Sequence, residues 1–181
     1  MKAFFKEHSY SVVKMFLNQF AMSIFGLMLA AASSVANNQT LLVASSIFSI
    51  LFYMFLLYTM TWELGAKEKI KVEAGRGNNN SFIGLYMSIV ANIPNLLLAV
   101  LMTVGFVFGS ENGLFAYEWA GGLYTVSRII ALLIQGMYNG IISVVGINPI
   151  WFFLITFPAM LVSGFSYYIA LKYSTTTAKK K

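Results

Sequence analysis

Trp62-Glu-Leu-Gly-Ala-Lys-Glu-Lys-Ile-Lys-Val-Glu-Ala-Gly-Arg-Gly-Asn-Asn-Asn80 holds seven of the 18 charged residues of the chain, four of them basic, between two long apolar runs. Lysine and arginine stay on the side from which a membrane chain inserts. The stretch therefore reads as the cytoplasmic loop of a multi-spanning membrane protein, over 63–80, and it orients every other segment.

Upstream of it, the chain runs from Met15 to Trp62 without a charge. One helix needs only about 20 residues to cross a hydrocarbon core of about 30 Å, so this run is expected to be a hairpin. Its turn falls at Asn37-Asn38-Gln39-Thr40, whose side chains compete with helix for backbone groups. That predicts spans at 15–36 and 41–62. The leader, 1–14, is short and basic and is expected to lie in the interface as a brief amphipathic turn. Ser34-Val35-Ala36 resembles a signal cleavage site, but the apolar stretch from Met15 to Ala32 is longer than such signals use. A retained helix is expected.

Downstream, 81–109 reads as a third span interrupted by Asn92-Ile93-Pro94-Asn95. Proline lacks a backbone donor and clashes with the carbonyl four residues back, which predicts a kink near Ala91. Residues 110–120 carry Glu111 and Glu118 with no basic residue, as an outer loop would, and Tyr117 and Trp119 mark the headgroup level. The last span is 150–171, closed by Tyr167, Tyr168 and Lys172. The tail, 173–181, is polar and basic and is expected to be disordered.

The segment 121–146 is the hard one. Wound as a helix it sets Tyr124, Arg128, Ala131, Gln135 and Asn139 on one face and Leu123, Val126, Ile130, Leu133, Met137, Ile141 and Val144 on the other. Five crossings would strand the lysine-rich tail outside; four return it to the side of the other lysines. The fold expected is all-α: a polytopic transmembrane helical bundle with four spans plus one amphipathic interfacial or re-entrant helix, bent at Gly136 or Gly140. Five spans is the alternative. One integral membrane domain accounts for all 181 residues.

Composition agrees with this class. Apolar residues make up 59% and charged residues 10%, against about 45–50% and about 25% in a soluble domain. The formal charge of +6 falls on the flanks of apolar runs, where it meets anionic headgroups, and not in an aromatic-lined groove. The expected partners are thus the lipid bilayer with anionic headgroups and either a membrane-protein partner or a second copy, with no nucleic acid. The plasma membrane, with amino and carboxyl ends cytoplasmic, is the expected location. Short loops and the basic tail suggest a bacterial source.

Catalysis has little to work with. The chain has one His, no Cys and no Asp, and its six Glu lie outside the predicted hydrocarbon core. Metal sites need several such ligands to converge, and no phosphate-binding glycine loop is present. No catalytic residue, metal or cofactor is expected. Each span instead carries small or polar residues at helical spacing, on the first Gln19, Ser23, Gly26, Ala30 and Ser34. Gly26, Ala30 and Ser34 nominate that span for close helix packing. A sharper reading is a polar pocket or path lined by Gln19, Asn92, Asn95, Arg128, Gln135 and Asn139.

Two functions follow: a non-catalytic membrane subunit docking onto a transporter or export complex, or a small solute-binding or permeation unit. In size and hydrophobicity the chain resembles the substrate-binding subunits of energy-coupling-factor vitamin transporters. Those have six spans and an Ala-x-x-x-Ala pattern on the first; this chain has five apolar segments and Gly26-x-x-x-Ala30, and is not assigned to them.

Overall fold

The computed structural model describes residues 2–76, 80–109, 117–146 and 148–173. Among these the chain is all-helical, without a strand. The helices are α1 (Lys2–Val35), α2 (Gln39–Glu73), α3 (Ile83–Ala91), α4 (Ile93–Phe108), α5 (Glu118–Ile134), α6 (Asn139–Val145), α7 (Pro149–Leu154) and α8 (Phe157–Tyr173). A single 3-10 turn, Gly136–Tyr138, stands between α5 and α6.

Among the described residues, three helical stretches are long and apolar enough to cross a membrane: Lys6–Val35, Gln39–Glu73 and Pro149–Tyr173. Two bent pairs raise that to five if each counts as one span: α3 with α4, bent by 48°, and α5 with α6, bent by 88°.

The hairpin turn stands where the asparagines predict. Asn37 takes a left-handed φ of 48°, a conformation asparagine tolerates better than most residues. Asn38 Oδ1 then accepts the Leu41 N–H at 3.1 Å, satisfying one of the orphan donors that open α2.

Two expectations need correction at the flanks. The leader is not a separate turn, because α1 runs unbroken from Lys2. The charged stretch is not a loop until past Glu73, because α2 continues through it. Its residues are good helix formers, and ion pairs one turn apart, Glu63–Lys67 at 2.6 Å and Glu68–Lys71 at 2.9 Å, support the extension. Only 74–76 and Asn80 are described as connector; the intervening residues, the 110–116 part of the outer loop and the 174–181 tail lie outside the described residues.

Breaks follow the prolines. Asn92 separates α3 from α4, with Pro94 in the first turn of α4, as the missing donor requires. A second break, at Ile155–Thr156, splits the last span, which hydrophobic length alone predicts as one continuous helix. Pro158 stands just inside α8 and would clash with the Leu154 carbonyl in an unbroken helix.

Helix faces are sorted in the sense that suits lipid. On α1 the buried positions are Ser11, Met15, Gln19, Met22, Ser23, Gly26, Ala30 and Ser33, while Leu17, Phe20, Ile24 and Met28 are exposed. Small and polar residues, together with Met15 and Met22, pack inward, and large apolar ones dominate the exposed side.

Packing divides the chain into two compact units, Met1–Met15, Met54–Ala91 and Pro158–Lys181 in one, Phe16–Tyr53 and Asn92–Phe157 in the other. In the first, Tyr167 of α8 is the centre: a Cβ on Gly65 of α2 or on Gly84 of α3 would overlap it. Ser166 Oγ donates to the Tyr58 carbonyl at 2.7 Å. In the second, α4 lies against α5, with Gly105 so close to the Tyr124 backbone that a side chain there could not fit.

Candidate functional site

The second unit holds a buried amide cluster. Asn92 sits at the break before α4, and Asn95 follows one turn on. Asn95 Nδ2 donates to Gln19 Oε1 at 2.9 Å and to Asn92 Oδ1 at 2.8 Å. The three side chains are at most 4% exposed. Gln19 Nε2 in turn points to the Ile134 carbonyl at 3.5 Å, the outer limit of a hydrogen bond.

That carbonyl belongs to the place where the 121–146 helix fails. Past Gln135 the backbone tightens into the 3-10 turn and changes direction, which frees carbonyls and N–H groups that must find other partners. Two serines supply them. Ser23 Oγ donates to the Leu133 carbonyl and accepts the Gly136 N–H. Ser46 Oγ accepts the Gly140 N–H at 2.8 Å. Close approach makes this possible: a Cβ on Gly26 would overlap the Met137 backbone, one on Gly136 the Leu27 side chain and Ser23 carbonyl, and one on Gly140 the Leu42 carbonyl. Backbone that leaves the helical ladder within a membrane protein is tolerated where neighbouring helices satisfy it in this way.

The six residues of the candidate polar pocket therefore separate. Gln19, Asn92 and Asn95 come together. Gln135 is buried at the break, but its Oε1 has no hydrogen-bond partner among the described residues. Arg128 is half-buried on α5 and lies outside the bonded set. Asn139 lines a different recess, of about 380 Å³, with Leu27, Ala30, Ser34, Leu42 and Ile142, and its Oδ1 is buried and unpartnered there. Of the three packing positions, Gly26 and Ala30 are buried, whereas Ser34 is exposed and returns its hydroxyl to the Ala30 carbonyl at 2.9 Å. Its neighbour Ser33 takes the packing place, 3.3 Å from Ser45 Oγ. Ser46 is the residue sequence reading missed. Its only signal is a small side chain on the inward stripe, shared with several other serines.

The first unit gathers the charged ends. Lys71 bridges Glu68 at 2.9 Å and Glu7 at 3.3 Å, and Lys69 Nζ donates to the Lys172 carbonyl at 3.4 Å. The Glu68 bond, with help from Glu7, raises the Lys71 pKa above its ordinary value. The hydrogen bond from Lys67 holds the Glu63 carboxyl below the usual carboxylate range. Both groups stay charged at neutral pH. Among the described residues, no three His, Cys, Asp or Glu converge as metal ligands would.

No family model, no curated protein and no solved structure matches the chain. Its class is set by its own geometry: the described residues are all-helical, with three to five candidate membrane-spanning helices.

Proposed function

We propose that this is a non-catalytic, multi-pass plasma-membrane protein that serves as a docking subunit of a larger membrane assembly, such as a transporter or export complex. One observation carries the reading. The amides and hydroxyls that could have lined a solute path, Gln19, Asn92, Asn95, Ser23 and Ser46, bond one another and the broken backbone at 133–140. They act as glue between helices. With those groups engaged, the outer surfaces and the charged end of α2 are left for contact with a partner.

The crossing number belongs to the same proposal. Glu7, Lys71 and Lys172 belong to one bonded charged end, so an even number of crossings lies between Glu73 and Lys172. The α3–α4 and α7–α8 pairs account for two. The α5–α6 pair, bent by 88°, then returns to the face it left, and four crossings place the basic end in the cytoplasm. The chain has no cysteine, which makes the test direct. Lys67→Cys and Lys172→Cys are expected to react with an impermeant maleimide only after permeabilisation. Tyr117→Cys and Val145→Cys are both expected to react on intact cells. Opposite labelling of the last two would give five crossings.

The buried oxygens of Asn95, Gln135 and Asn139, unpartnered among the described residues, favour the solute-binding reading, the last of them in its recess. The particle extracted in mild detergent separates the two. A heteromeric complex of fixed stoichiometry, lost when Lys67 and Ile70 are both changed to Glu, is the expected result. Ile70 is an exposed apolar residue among the lysines of α2. A particle of this chain alone that carries a small molecule in fixed ratio would replace the docking reading.

A further inference from the structure

Between α3 and α8 lies an apolar groove of about 440 Å³, lined by Phe82, Leu85, Leu161, Gly164, Phe165 and Tyr168. Phe82, Leu161 and Phe165 are each more than 60% exposed, so its walls face the bilayer. Gly164 forms part of its floor, where a side chain would press on Leu85. The groove ends at charge. Tyr168 lines it, and Lys172 Nζ donates to the Tyr168 hydroxyl at 3.4 Å while lying 5.2 Å from the Tyr173 ring centroid. Lys69 reaches the same end through the Lys172 carbonyl.

Length and charge together select an occupant. Leu161, Gly164, Phe165, Tyr168 and Lys172 fall on one face of α8. At about 1.5 Å per residue, the distance from Leu161 to Lys172 is about 16 Å, which matches one leaflet of a core about 30 Å thick. We propose that this groove binds one anionic glycerophospholipid, an acyl chain lying along α8 and the phosphate held by Lys172 and Lys69. A lipid phosphate there meets two ammonium groups and the phenol of Tyr168, where a zwitterionic headgroup would also bring its own cation against them.

The proposal stands apart from the docking reading, since it needs only the membrane. Its test is native mass spectrometry of the full chain in detergent, with phosphatidylglycerol and phosphatidylcholine of the same acyl chains. The wild-type chain is expected to retain phosphatidylglycerol preferentially. Lys172→Gln, an exposed change, is expected to lower that retention about fivefold and leave phosphatidylcholine unaffected. Leu161→Trp, which fills the groove from its exposed side, is expected to lower retention of both lipids at an unchanged melting temperature. Equal retention of the two lipids by the wild-type chain would overturn the site. So would undiminished phosphatidylglycerol in either variant, or a dimer that Leu161→Trp dissociates, which would seat a second copy in the groove.

Discussion

Gly140→Leu is expected to destabilise the purified chain by about 3 kcal/mol or more, read from unfolding in detergent. The cause is local and double. A Cβ at Gly140 would meet the Leu42 carbonyl and Ser46 Oγ inside van der Waals contact, and backbone cannot move aside as a flexible side-chain tip can. Overpacking of this kind typically costs about 1–3 kcal/mol. Lifting α6 off α2 also strips the Gly140 N–H of the Ser46 hydroxyl, leaving a buried donor unsatisfied at a further cost of about 1–3 kcal/mol. Gly122→Leu is the control. Nothing lies within 4 Å of a Cβ there, and helix propensity favours leucine over glycine, so that variant is expected to match or exceed the wild type. Equal behaviour of the two variants would mean that α6 does not rest against α2.

Asn95→Leu is expected to cost about 2 kcal/mol by the same measurement. Interhelical polar contacts in membrane proteins average about 0.6 kcal/mol, reaching about 1.7, so the direct loss of two bonds is modest. The larger share comes from Gln19 Oε1, which loses the Asn95 donor in a site 3% exposed. The cycle with Gln19→Leu isolates that share. Removing both partners together is expected to cost about 1 kcal/mol less than the sum of the single changes. Strict additivity would mean that the two amides do not depend on each other.

The amide cluster was readable because chemistry confines it. An amide inside a hydrocarbon bundle has few affordable places, and Pro94 frees backbone beside Asn92 and Asn95. Hence these two and Gln19, an inward residue of the first span, could be nominated together. Gly136 and Gly140 marked the backbone break for the same reason, as the positions where a helix can most easily fail. What stayed hidden depends on approach distances. Ser33 and Ser34 are chemically alike, and only the angle at which α1 meets α2 decides which hydroxyl faces Ser45. Ser46 could equally have bonded back within its own helix, as Ser49 does to the Ser45 carbonyl. The helical course of Trp62–Glu73 was missed because charge density reports water, and a helix of Lys, Glu and Ala is at home in water. Pro158 carries a legible break signal, which hydrophobic length alone does not register.

The α1–α2 hairpin is fastened at its turn by Asn38 and at its open end by Glu7 and Lys71. All of these fall within the first 71 residues. Both fastenings precede α3 in the chain, so the hairpin holds its two ends without any later helix. The clasp at its open end is partly exposed, so salt loosens it, while the asparagine turn is indifferent to ionic strength.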